Sequence, residues 1–207
     1  MKYNFYALKL TAICVIVFIL QLIIPGLTDA FVLNGRAYYE FWRFFTAIFL
    51  HGSLTHILFN GFALALFGSM LEPLIGGKRF LYVFFITGMA ANVVSVNFYP
   101  SALGASGAIF GVIGALIFIR PGLLVWAFGL PMPIIVAGLI WAVGDFIGLF
   151  VPSDVGNIAH LSGMFFGLLL GAYFKSYYLR IKENRTKFQP IMIDERKMRD
   201  WEDSYLK

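Results

Sequence analysis

The chain has 207 residues, of which 60% are apolar and only 13% charged, with a mean hydropathy of +0.81. Such a composition cannot clothe a soluble core in a solvated skin, so a water-soluble domain is excluded and a polytopic membrane protein is expected. The net charge of +5 calls for no nucleic acid, because membrane topology and attraction to anionic lipid account for it.

Apolar stretches able to cross a hydrocarbon layer of ~30 Å run over about 7–24, 51–71, 80–98, 104–119, 131–150 and 157–174. They predict an all-α bundle of six transmembrane helices. Lys2 and Lys9 flank the start of the first span, and no small-residue cleavage site follows, so this span reads as a retained anchor. Cys14 within it is the single cysteine, which leaves neither an intrachain disulfide nor a thiolate metal cluster. Phe31 to Phe45, rich in aromatics and punctuated by Asn34-Gly35, suits a loop half immersed at the interface. The apolar stretch 122–130 sits between Pro121 and Pro131 and is expected to be a short interfacial loop.

Orientation follows from the basic residues. With the amino terminus inside, Lys2, Lys9, Lys78, Arg79, Arg120, Lys175 and Arg180 face the cytoplasm, while Arg36 and Arg43 are the basic residues outside. From Lys182 the chain turns polar, with Asp194-Glu195-Arg196-Lys197 and Asp200-Trp201-Glu202-Asp203 close together. The expected organisation is a membrane domain over 1–181 and a charged, partly helical cytoplasmic tail over 182–207.

Under this topology spans two, four and six enter from one side, bringing His51, His56, Ser106 and His160 to their outer ends. Polar side chains in lipid face the protein interior or water and are functional candidates by default. The fourth span is short, ~24 Å as helix, so Ser106 at its beginning should be submerged. The preceding 99–103 must then descend as irregular backbone, which is tolerated only where protein or a water-filled cavity surrounds it. Gly104 and Gly107 allow close backbone approach and unusual dihedrals around the serine, and the start of a helix offers unpaired amides for an anion. Gly107, Gly111 and Gly114 in span four and Gly163, Gly167 and Gly171 in span six let two helices pack closely. Because His160, Gly163, Gly167 and Gly171 follow i, i+3, i+7 and i+11, the histidine shares a face with its glycine stripe.

A serine hydroxyl is a weak nucleophile until a base within hydrogen-bond reach takes its proton. His160 is the candidate base for Ser106. No carboxylate is well placed as a third member, since Asp145 belongs to span five and Asp154 to the outer loop before span six. The site therefore reads as a Ser-His dyad with the imidazole oriented by packing, and Phe110, one turn after Ser106, is placed to stack on the His160 ring. His56 and Asn60 lie at i and i+4 on span two and direct two N–H donors at one small volume. His51 is off that helical face and reads as structural at the outer end.

Other chemistries fit these residues less well. Three histidine nitrogens could bind zinc, but there is no His-Glu-x-x-His helix and no carboxylate near His56. An aspartyl mechanism needs two carboxylates sharing a site, and Glu72 lies at the inner end of span two, far from Asp145. A small transporter, channel or membrane chaperone would use the cavity for binding alone. No inverted repeat or pair of broken helices supports the transporter.

Leu103-Gly104-Ala105-Ser106-Gly107-Ala108-Ile109-Phe110-Gly111 and Ala159-His160-Leu161-Ser162-Gly163, together with Trp42-Arg43, His51, His56, Asn60 and Glu72, resemble the rhomboid family of intramembrane serine proteases. The likeness extends over roughly Phe41 to Gly171. It implies a six-helix bundle, transmembrane protein substrates, no cofactor, and a multi-pass protein of a prokaryotic plasma membrane with both termini cytoplasmic; the oligomeric state stays open. It assigns His56, Asn60 and the Ser106 amide to an oxyanion hole, Glu72 to holding span two against neighbouring loops, and Trp42-Arg43 to stabilising the first outer loop. Many rhomboids have Tyr where this chain has Phe110. Family members that lack the Ser-His pair are inactive, and the pair is present here.

Overall fold

Helices form in each of the six expected stretches, and local capping chemistry sets where they begin. In the computed structural model, which describes residues 4–151, 155–186 and 195–206, α1 spans Tyr6–Ile23, α2 Leu54–Ile75, α3 Gly77–Ser95, α4 Ser106–Ile119, α5 Ile134–Gly148 and α6 Asn157–Thr186. Lys2, Asp154 and Asp194 lie outside the described residues. By length and composition α1, α2 and Asn157–Arg180 of α6 are able to cross a membrane, and α4 and α5 are shorter apolar helices.

The second helix begins at Leu54 rather than 51, because the Ser53 hydroxyl accepts the His56 amide proton at 3.1 Å. Such an N-cap stabilises a helix start by about 1 kcal/mol. It leaves His51 in the turn ahead of the helix. The last span is longer than its apolar stretch: α6 continues to Thr186, and a separate helix, α7, follows at Glu195–Tyr205.

α4 is the hub of the bundle, with Gly107–Ile109 and Gly111–Leu116 buried. It packs along α6 and α3, and α2 and α5 also touch it. Glycine makes this closeness possible, as the two expected stripes do meet. A Cβ on Gly163 would overlap the Gly107 carbonyl oxygen, one on Gly167 that of Gly111, and one on Gly171 would lie 2.9 Å from the Ala115 Cα. On the opposite side of α4, a Cβ on Gly107 would come 2.6 Å from the Ala91 Cβ of α3.

Two short ladders complete the fold. β1 (Leu33–Asn34) in the first outer loop pairs antiparallel with β2 (Ser101–Ala102), the segment that leads down to α4. The stretch 122–130, expected as a plain loop, forms part of a hairpin in which β3 (Leu124–Ala127) pairs with β4 (Leu130–Pro133). Its two turn residues, Phe128 and Gly129, both take positive φ, 54° and 78°, the geometry that matches strand twist in a two-residue turn. Alternation buries Val125 and Ala127 and turns Leu124 and Trp126 outward.

The two ends of the bundle differ in character. At the end away from Ser106, Lys9 stands over the Tyr6 ring at 5.2 Å, Arg79 over Tyr177 at 3.3 Å, and Lys175 over Phe118 at 5.1 Å. Glu72 fastens that end by accepting the Ala7 amide proton at 3.2 Å, so it ties α2 to the first turn of α1 rather than to a loop. At the other end Arg43 is buried and donates to the Asp29 carbonyl at 2.9 Å, the Val32 carbonyl at 2.8 Å and the Glu40 carboxylate, which folds the first outer loop around one guanidinium. Tyr39, Phe41 and Trp42 of that loop are exposed.

Candidate active site

The backbone before α4 is held from three directions. β1 pairs with Ser101 and Ala102, the Gly104 amide donates to the Ala47 carbonyl at 2.9 Å, and the Tyr99 hydroxyl accepts the Ile158 amide proton of α6 at 3.2 Å. Gly104 has φ +123°, which L side chains rarely adopt. A Cβ there would also lie 2.8 Å from both Cε1 and Nε2 of His56 and 3.8 Å from Nδ2 of Asn60. Conformation and crowding both require glycine at this point, and the same distances show what faces it.

α4 starts at Ser106 itself. Ala105 supplies no side-chain cap, and the first bond of the helix runs from the Ile109 amide to the Ala105 carbonyl at 2.9 Å. The amides of Ser106, Gly107 and Ala108 consequently have no acceptor inside the helix. Among the described residues the Ser106 hydroxyl makes no hydrogen bond, a common state for a nucleophile in a resting site.

His160 lies near the start of α6, half-buried, and its ring stacks on Phe110 with centroids 4.3 Å apart and planes 3° from parallel. Phe110 is one turn beyond Ser106 on the same helical face, so the expected stack forms and carries the imidazole to the head of α4. Packing is not the imidazole's sole restraint. Contrary to the expectation that no carboxylate is well placed, Asp145 of α5 meets His160, with Oδ1 3.0 Å from Nδ1. Sequence separation hid this contact: the two residues lie fifteen positions apart on different helices, and helical spacing within one element says nothing of its neighbour. The signal that could have found it is the expense of a carboxylate in an apolar span, which demands a partner.

His56 and Asn60 project from successive turns of α2 toward Gly104. The His56 Nδ1 accepts the Gly52 amide proton at 3.4 Å, which places the ring proton on Nε2, the atom facing Gly104. Asn60 is buried, and its side chain makes no hydrogen bond among the described residues. His51, expected to be structural, is buried with Nδ1 3.1 Å from the Phe49 carbonyl, and its ring packs edge-on against His56 at 5.0 Å. Gln21 of α1, which sequence reading passed over, fixes the His51 backbone by accepting its amide proton at 2.9 Å and donating to its carbonyl at 3.2 Å. Ser162 is committed to the Ile158 carbonyl of its own helix.

The family model described as Rhomboid domain matches residues 38–177. The chain belongs to the rhomboid family of intramembrane serine proteases. It is 33% identical over 174 residues to the rhomboid protease GlpG of Haemophilus influenzae, an alignment covering 79% of this chain and 88% of that one. It is 44% identical over 82 residues to the rhomboid protease GluP of Bacillus subtilis, covering 39% of this chain and 16% of that one. With the RHOMBOID-like protein 7 of Arabidopsis thaliana the identity is 32% over 134 residues, 64% of this chain and 42% of the relative. In this rhomboid the matched region contains every candidate residue from His51 to His160.

Proposed function

We propose that this rhomboid is an endopeptidase in which Ser106 attacks the scissile carbonyl of a transmembrane segment, with His160 as general base, near the outer membrane face. As the Ser106 Oγ–carbon bond forms, the hydroxyl proton passes to His160 Nε2 and the carbonyl oxygen becomes an oxyanion. Donors aimed at that developing charge are commonly the largest catalytic term; here they are the Ser106 amide, His56 Nε2–H and the Asn60 amide. Collapse breaks the peptide C–N bond, and His160 returns the proton to the leaving amine. Water then repeats the cycle, giving its proton to His160 and releasing the acyl group from Ser106 as a carboxylic acid. These residues hydrolyse the bond without a cofactor.

The observation that carries this reading is the coplanar Phe110–His160 stack, which brings the only candidate base on α6 to the head of the serine helix. A binding protein would have no need of a nucleophile, a base and two donors around one glycine-lined point. Cytoplasmic termini put the basic end of the bundle inside and Ser106 just below the outer surface. Stable helices hide their scissile bonds, so the substrates are single-span proteins with helix-destabilising Gly or Pro near the outer end of the span, cut beside a small residue.

Ser106→Ala and His160→Ala each abolish cleavage of such a substrate while the variant still inserts and purifies, and mass spectrometry places the wild-type cut near the substrate's outer end. Substantial turnover in either variant would overturn the dyad. A cut on the cytoplasmic side would overturn the orientation.

A further inference from the structure

Asp145 is 8% exposed in the last turn of an otherwise apolar helix, and the company it keeps is unusual. Among the described residues His160 is its hydrogen-bond partner, through Oδ1, while the second oxygen, Oδ2, is buried without any partner. A carboxylate that served to fasten α5 to α6 would be expected to spend both oxygens on backbone amides or on a fixed side chain. This one spends its single bond on an imidazole. An ionisable side chain at membrane depth is expensive and is retained where it acts.

The direction of that bond sets the chemistry. An ionised carboxylate only accepts, so Nδ1 of His160 must carry the proton it donates, and Nε2 is left with its lone pair. That is the tautomer a base for Ser106 needs. Phe110 fixes the plane of the ring, and Asp145 holds the edge that carries Nδ1. When Nε2 takes the Ser106 proton, the imidazolium forms beside an anion in a desolvated pocket, where opposite charges interact far more strongly than in water. We infer that Asp145 is a positioning residue for His160, completing a Ser106–His160–Asp145 triad across α4, α6 and α5, an inference that rests on the protease reading above. The Asp145 carboxylate keeps its charge throughout: it orients and stabilises, and no proton moves to it.

Other charges around His160 are few. α2 contributes His56 and, at its far end, Glu72; α4 offers Ser106 and Phe110; the charges of α3, Lys78 and Arg79, stand at the opposite end of the bundle; and the Tyr99 hydroxyl is engaged with the Ile158 amide. Among the described residues Asp145 is the anion that meets the ring.

Asp145→Asn tests the inference in the full-length protein reconstituted in lipid, beside Asp145→Glu, Ser106→Ala and His160→Ala. Asparagine keeps the shape and an acceptor oxygen but lacks the charge. It is expected to lower kcat by 10²-fold or more with KM and melting temperature nearly unchanged. Glutamate, which retains the charge, recovers more kcat than asparagine does. A purely structural Asp145 would change melting temperature and leave the kcat of the folded protein unchanged. Wild-type kcat in Asp145→Asn would overturn the inference while leaving the protease reading intact; activity surviving in Ser106→Ala or His160→Ala would instead overturn that reading.

Discussion

Asn60 illustrates how much one buried amide is asked to do. Its Nδ2 lies 3.8 Å from where a Gly104 Cβ would be and makes no hydrogen bond among the described residues, which leaves the N–H available to an oxyanion beside Gly104. Asn60→Ala is therefore expected to lower kcat with little change in KM, because the donor acts on charge that exists only in the transition state. The loss is up to about 10²–10³-fold, the range for a single oxyanion donor, and smaller where His56 and the Ser106 amide compensate. His56→Ala should behave alike and the double variant be worse than either, as turnover measurements on folded protein would show. Wild-type turnover in both single variants would make them packing residues. At this scale most of the candidate site was legible: Ser106, His160, His56, Asn60 and Phe110 stand out as candidates by residue type and helical spacing. Asp145 did not, because its meaning depends on which helix lies beside it. Nor did Gln21, whose partner is a backbone segment thirty residues on.

At the scale of elements, the contact between α4 and α6 depends on hydrogen standing where a methyl would be. A side chain at Gly167 would be driven into the Gly111 carbonyl, and backbone cannot step aside as a flexible side chain can. Gly167→Val should lower the melting temperature sharply and separate His160 from Ser106, since overpacking a tight contact costs about 1–3 kcal/mol or more. Gly144 of α5, where an added Cβ meets nothing within 4 Å, is the control. Gly144→Ala should leave melting unchanged or slightly raised, because alanine is the better helix former. Equal melting temperatures for the two variants would contradict the close packing. The small-residue periodicity made this interface readable from sequence. The β3–β4 hairpin was not, because its alternation is written in uniformly apolar residues: Val125 and Ala127 turn inward while Leu124 and Trp126 turn outward, and nothing in residue type separates them. Helix ends shifted for a similar reason. Hydropathy marks where lipid begins, whereas Ser53 and its bond to the His56 amide mark where the helix begins.

Across the whole molecule, polarity is separated end from end. Lys9, Arg79 and Lys175 gather against aromatic rings at one end, and Ser106, His160, His56 and Asn60 meet at the other. Between them α4 is nearly all buried, sheathed by α2, α3, α5 and α6. The Ser106 hydroxyl is thus set at the head of the most protected helix, where irregular backbone, tied to β1 and to Ala47, takes the place that lipid-exposed chain could not occupy. The central claim is that Ser106 is a nucleophile activated by His160. The most direct measurement is to react the reconstituted protein with a fluorophosphonate probe and locate the adduct by fragmentation mass spectrometry. The account predicts a single adduct on Ser106, absent from Ser106→Ala and strongly slowed in His160→Ala. An adduct on another serine, or labelling of Ser106 that proceeds equally fast without His160, would contradict it.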